Sequence, residues 1–194
     1  MILNDTEIKS RCATMQPMIE PFIREKSYMG HLSYGLSSFG YDIRLGNDLK
    51  SYGPGSGLND LSVLDPAAEG SMRLEDKILH YKLNNGVYQL DPGEFILGMT
   101  LETFDLPKNV CAVVRDKSTL ARLGLAVQNT VLEPGWKGVL TMEITNHNTY
   151  PINLRKGMPI AQMQFFAGNN PHKAYDGRYQ DQVGVTLPKE VNHG

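Results

Sequence analysis

YDIRLGN, residues 41–47, alternates apolar and polar side chains. That is the period of a strand with one face buried. Upstream, the pattern is helical. Asn4 with Glu7 three residues on reads as a capping box, and Ile8, Cys12 and Met15 keep near-helical spacing. MIEPFIREKSY (18–28) reads as a second amphipathic segment interrupted by Pro21, so a helical N-terminal segment is expected over about 1–30. Downstream, the period stays at two. EFILGMTLETFDLP (94–107) is a long strand ending at a turn; VCAVVR (110–115), GVLTMEITN (138–146), PINLR (151–155) and IAQMQFF (160–166) are further strands. LDPGE, LPKN, EPGWKG and RKGMP separate them with the Pro, Gly, Asn and Lys that turns require.

Many short strands, with no helix between successive ones, exclude a βαβ sheet and favour a β-roll or distorted barrel. SYGPGSGLNDLSVLDPAAEG (51–70) is a loop by composition. No internal repeat or boundary divides the 194 residues, so one domain is expected, burying roughly 70% of its unfolded surface. Nineteen Lys and Arg against 21 Asp and Glu give a net charge of −2, with no basic field calling for nucleic acid or an anionic membrane. No apolar run reaches the ~18 residues of a membrane span. The opening MILNDTEIKSRC lacks the basic and apolar regions of a secretory signal, and Cys12 and Cys111 read as free thiols of a reducing cytoplasm.

Several familiar chemistries lack their residues. None of His31, His80, His147, His172 and His193 precedes a glutamate by two positions, and neither cysteine has a partner at ligand spacing, so the zinc deaminase signature is missing. Zincin, nucleophile-elbow and phosphate-loop motifs are missing too. What remains is DKSTLARLGL (116–125), which gathers Lys117, Ser118, Thr119 and Arg122 within six residues. Local sequence leaves two readings open: a solvated helix cap, or a turn whose free N–H groups and hydroxyls grip an anion. On GVLTMEITN, alternation puts Leu140, Met142 and Ile144 on one face and Val139, Thr141, Glu143 and Thr145 on the other. Glu143 is then an exposed strand glutamate or a carboxylate on a pocket wall.

The order of these pieces is more specific than any one of them. SYGLSSFGYDIRLGN, DKSTLARLGL, NTVLEPGWKG, TMEITN and RYQDQVGVTLP, in this sequence, resemble the dCTP deaminase family, within the superfamily of the trimeric dUTPases. The resemblance covers nearly the whole chain and is densest over 111–166. It implies a mostly-β homotrimer with active sites at subunit interfaces, deaminating the cytosine of dCTP to dUTP without zinc, with Mg²⁺ bound only through the nucleotide phosphates. It implies that Glu143 is the general acid/base, that Ser118 and the carbonyl of Val131 hold the attacking water, and that Arg122 orients them. Lys117, Ser118 and Thr119 are implied as phosphate contacts and Glu133 as a partner of the 3′-hydroxyl. Thr141 is implied near the base, Thr130 as a further substrate contact, and Tyr175, Arg178 and Gln182 in a lid formed by the tail (about 170–194). The resemblance also implies dTTP as a feedback inhibitor.

Two departures matter. Asp116 stands where the family usually has glycine, which keeps dCMP open as a substrate, and Val131 stands where Ala or Pro is more common. The alternatives are a bifunctional enzyme releasing dUMP and pyrophosphate, a pure dUTPase, and a non-catalytic nucleotide-binding module. Glu143 favours deamination over a pure dUTPase, whose corresponding strand position is usually apolar. A binding module has no physical need of an unpaired carboxylate.

Overall fold

The computed structural model describes residues 1–52, 78–83 and 86–189. The expected loop at 51–70 lies outside them from residue 53 onward. In chain order the elements are α1 (Asp5–Cys12), β1 (Ile19–Glu20), β2 (Ser27–Met29), β3 (Leu32–Ser37), β4 (Gly40–Ser51), β5 (Leu79–Lys82) and β6 (Val87–Leu90). Then come β7 (Phe95–Asp105), β8 (Val110–Asp116), α2 (Ser118–Ala121), β9 (Leu125–Val127), β10 (Val131–Leu132), β11 (Lys137–Asn146), β12 (Ile152–Arg155) and β13 (Pro159–Ala167). The fold is mainly β, as the alternation indicates.

Helix α1 starts at the expected capping box: Asn4 Oδ1 accepts the Glu7 N–H, and Glu7 Oε2 accepts the Asn4 N–H, both at 3.0 Å. It buries Ile8 and Cys12, and burial pushes the Cys12 thiol up to about 11. The helical expectation fails beyond Cys12. Pro21 has no N–H to give a helix and disfavours helical geometry at Glu20. Ile19 and Glu20 instead pair with Phe104 and Thr103 of β7, and β2 forms a hairpin with β3.

Strand β4, the extension of YDIRLGN, belongs to two sheets. Its first half lies between β3 and β13, and β13 leads on to β8 and β10. Its second half pairs with β5 and β7, and β7 leads on to β11 and β9. The change of sheet needs a corner, and bulges make corners by inserting unpaired residues that bend a strand. Two bulges adjoin here: Gly46–Asp48 of β4 against Met99, and Thr100–Glu102 of β7 against Leu140. A buried ion pair braces the bend. Glu102, fully inaccessible, accepts from Arg44 Nε at 2.7 Å and from the Arg44 N–H at 2.9 Å. The core, with Tyr41, Ile43, Leu45, Phe104, Met142 and Phe165 among its buried side chains, fills the roll.

Candidate active site

A cleft of ≈ 350 Å³ opens between β11, the β10 turn and the C-terminal tail. That volume lies at the lower end of small-ligand pockets. Thr141 and Glu143 of β11 line it from one side, Thr130, Val131 and Glu133 from the turn, and Tyr175 and Gln182 from the tail. Leu140, which strict alternation assigns to the opposite face, lines it as well. The bulge opposite Leu140 is the cause, because it interrupts the pleat at that residue.

Glu143 is half-buried. Burial raises its pKa above the usual carboxylate range, against the opposing effect of its own main-chain N–H. Among the described residues no side chain hydrogen-bonds its carboxylate. The Glu143 carbonyl accepts the Gln128 N–H at 2.9 Å, which ties the strand to the start of the 128–133 turn. Tyr52 forms another wall, its ring stacked on Phe95 with centroids 5.9 Å apart. Burial, and next the charge of Glu143, raise the Tyr52 pKa. A carboxylate that holds its proton more tightly than usual, in an apolar-walled cleft, is suited to shuttling protons near neutral pH.

The tail closes the cleft within the same chain. Its main chain docks on the first residues of β11 and the turn before them: Tyr175 N–H to Pro134 O (2.9 Å), Asp181 N–H to Lys137 O (2.9 Å), and Val139 N–H to Gln182 O (2.8 Å). Thr141 Oγ1 donates to Gln182 Oε1 at 3.2 Å and accepts the Thr186 N–H at 3.0 Å. Gly138 permits this approach. Its φ is +134°, and a Cβ there would lie 2.6 Å from the Gln182 nitrogen.

The chain matches the dCTP deaminase-like family model over residues 2–168. It is 39% identical to a dCTP deaminase of Herpetosiphon aurantiacus over 92% of this chain and 94% of that protein. It is 36% identical to one of Pelagibacter ubique over 97% and 98%. The chain belongs to the dCTP deaminase-like family. Its fold also matches the crystal structure of 2′-deoxycytidine 5′-triphosphate deaminase from Agrobacterium tumefaciens, with a TM-score of 0.62 at 19% identity. That likeness covers 86% of this chain, which spans about half (48%) of the solved chain.

Within this dCTP deaminase-like chain, the residues named by the resemblance fall into two groups. Thr130, Val131, Glu133, Thr141, Glu143, Tyr175 and Gln182 meet around one cleft. Ser118, Thr119 and Arg122 do not line it; they are exposed on the short α2 turn. The turn connects to Glu143 indirectly. Asp116 Oδ1 accepts the Val127 N–H at 2.8 Å, and Val127 pairs with Ile144, next to Glu143. The carboxylate of Asp116 therefore holds β9 in place. Lys117 is buried, its ammonium turned inward to Asp42. Arg178 is exposed and donates to the Lys189 carbonyl within the tail.

The sequence reading missed Tyr52, Tyr179 and Asp42. Tyr179, four residues after Tyr175, donates its N–H to the Tyr175 hydroxyl at 3.2 Å, and both rings line the cleft; the i, i+4 tyrosines were the available signal. Tyr52 follows the last residue of β4, in a stretch read as loop, where no periodicity marks it. Among the described residues, no three His, Cys, Asp or Glu side chains gather closely enough to hold a metal ion.

Proposed function

We propose that this chain catalyses the hydrolytic deamination of dCTP to dUTP and ammonia. The observation that carries the reading is Glu143, a half-buried carboxylate of raised proton affinity on the wall of a nucleoside-sized cleft, in a chain of this family. With the cytosine in the cleft, Glu143 takes a proton from water, the hydroxide adds to C4, and the proton passes to N3. Glu143 then carries the hydroxyl proton to the 4-amino group, the C4–N bond breaks, and ammonia leaves a C4 carbonyl. The proton on N3 remains, so the product is uracil and no oxidant or reductant is needed.

Ser118 and the Val131 carbonyl would hold the water, with Arg122 countering negative charge as it develops. Ser118 and Thr119, the first residues of α2, would meet the phosphates, and Mg²⁺ would arrive with the nucleotide, bound by phosphate oxygens. Thr130 and Thr141 would flank the base and Glu133 the 3′-hydroxyl. Tyr175, Arg178 and Gln182 belong to the tail that excludes water.

Ser118, Thr119 and Arg122 are exposed and lie outside their own chain's cleft. A cyclic homotrimer in which each cleft receives the turn of a neighbour would complete the site. No helix among the described residues is long and apolar enough to cross a membrane, and a deoxynucleotide substrate suits a cytoplasmic enzyme, with dTTP as a candidate inhibitor of the same site.

The test is incubation with dCTP, dCMP and dUTP separately, measuring ammonia, pyrophosphate and nucleotide products. Ammonia from dCTP without pyrophosphate is the expected result. Ammonia together with pyrophosphate would instead assign Glu133, the second carboxylate lining the cleft, to phosphate hydrolysis. No ammonia from dCTP would end the deaminase reading.

A further inference from the structure

The residue that holds Lys117 lies 75 positions earlier in the chain. Lys117 Nζ is 2.6 Å from Asp42 Oδ2 and 3.2 Å from Ser33 Oγ. Ser33 Oγ in turn donates to the same Asp42 oxygen at 3.2 Å, and Gln162 Nε2 donates to Asp42 Oδ1 at 3.4 Å. The two charged side chains are 9% and 8% exposed.

We propose that Asp42 is a positioning residue for the reaction, fixing the Ser118–Arg122 turn through its buried ion pair with Lys117. This rests on the deaminase reading for its catalytic consequence, though not for its structural content.

The turn cannot hold itself. Helix α2 has four residues, and its N-cap, Lys117, makes no side-chain capping bond; so short a helix is not stable alone. Just beyond the turn the chain is tied down at Leu123, whose carbonyl accepts from Asn148 Nδ2, and at Gly124, whose carbonyl accepts the His147 N–H, both at 2.8 Å. Over 116–120 the side-chain anchors are three. Leu120 is buried, but apolar packing has no direction. Asp116 bonds Val127 from an exposed position. The Lys117–Asp42 pair is both directional and shielded from water. Its base is firm, since Asp42 lies within β4, in register with Gly35 of β3 on one side and Gln162 of β13 on the other. Turning the ammonium outward to a phosphate would leave Asp42 as a buried carboxylate without its counter-ion, which is costly. Lys117 therefore acts as a strut, and phosphate recognition falls to Ser118 and Thr119.

The experiment compares wild type with Asp42→Asn, Lys117→Met and the double variant. The readouts are kcat and KM for ammonia release from dCTP, and amide hydrogen exchange of peptides covering 116–125. A strut predicts a kcat loss of about 10²-fold in either single variant, because misplacing a positioned group acts on the rate. KM should change much less. The double variant should be no worse than the poorer single one, as for two residues of one interaction, and exchange should quicken in that segment. If Asp42→Asn fails to fold, the charge-free double variant still decides: slow turnover with quick exchange supports the strut, and wild-type values overturn it. A raised KM in Lys117→Met, with KM unchanged or lowered in Asp42→Asn, would also overturn it, by returning the ammonium to the phosphates. Should wild type release no ammonia, the deaminase reading fails, and exchange of the turn alone decides the strut.

Discussion

Thr100 Oγ1 accepts the main-chain N–H of Leu140 at 2.9 Å, at the point where three residues of β7 stand against one of β11. The bulge deprives Leu140 of a ladder partner, and the buried threonine hydroxyl replaces it while donating to the Glu102 carbonyl at 2.7 Å. One side chain thus satisfies two main-chain groups at the corner of the roll, three residues from Glu143 along β11. The position of Glu143 depends on a bend that this hydroxyl stabilises.

Thr100→Val keeps the shape and removes the hydroxyl. It leaves a buried N–H unpaired, at a cost of about 1–3 kcal/mol. Urea denaturation should register that loss. The kcat for ammonia release should fall with it, and Thr100→Ser should recover most of both. Full stability in Thr100→Val would mean that the bulge is held by packing alone.

Glu143→Gln should retain dCTP binding, measured by calorimetry, while ammonia release drops by about 10²–10⁴-fold. Its stability should depend on pH in a defined sense. Folding raises the Glu143 pKa because burial disfavours the charged form. The group's contribution to stability is therefore whole below the unfolded carboxyl pKa and is lost as pH rises through the folded value. Glu143→Gln should melt above wild type at neutral pH, and the gap should close on acidification. A gap that widens in acid would mean that the carboxylate is stabilised by a partner.

Gly138→Ala tests the seating of the tail. A Cβ at a φ of +134° is strained, and it would stand 2.6 and 2.7 Å from the Gln182 nitrogen and carbonyl oxygen. The tail should lift from β11, with limited proteolysis after residue 170 becoming faster and KM for dCTP rising. Unchanged proteolysis and KM would show that the tail's other contacts, such as Lys50 Nζ to the Val185 carbonyl at 2.7 Å, suffice.

The sequence made the strands legible because apolar and polar side chains alternate along them, and period two records that directly. It does so even where β4 and the first half of β11 are buried over consecutive residues. Thr141 and Glu143 could be placed on one face for the same reason. The corner was not legible. A bulge alters pairing between strands without altering the alternation within either, so Leu140's place in the cleft could not be read. Residues 18–28 misled because their apolar spacing suits a helix, whereas Pro21 and the open edge of β7 direct the chain into the sheet. The inward turn of Lys117 depends on Asp42, a residue of a distant strand, and no local pattern encodes that encounter. Family resemblance located the motif; only the folded chain revealed where its ammonium goes.

The exposed α2 turn yields the sharpest test of a site shared between protomers. Arg122→Ala and Glu143→Gln should each be nearly inactive alone. If Glu143 of one subunit works with Arg122 of its neighbour, unfolding the two variants together and refolding them should restore turnover. Roughly three quarters of randomly assembled cyclic trimers contain both variants, each with one intact site in three, so recovery should approach about a quarter of the wild-type rate. Mixing without subunit exchange is the control and should restore nothing. Two variants that stay inactive after co-refolding, although chromatography shows mixed oligomers, would mean that both residues must come from one chain. The turn would then have to swing into its own cleft, a movement opposed by the buried Lys117–Asp42 pair and by the Asp116 bond to Val127.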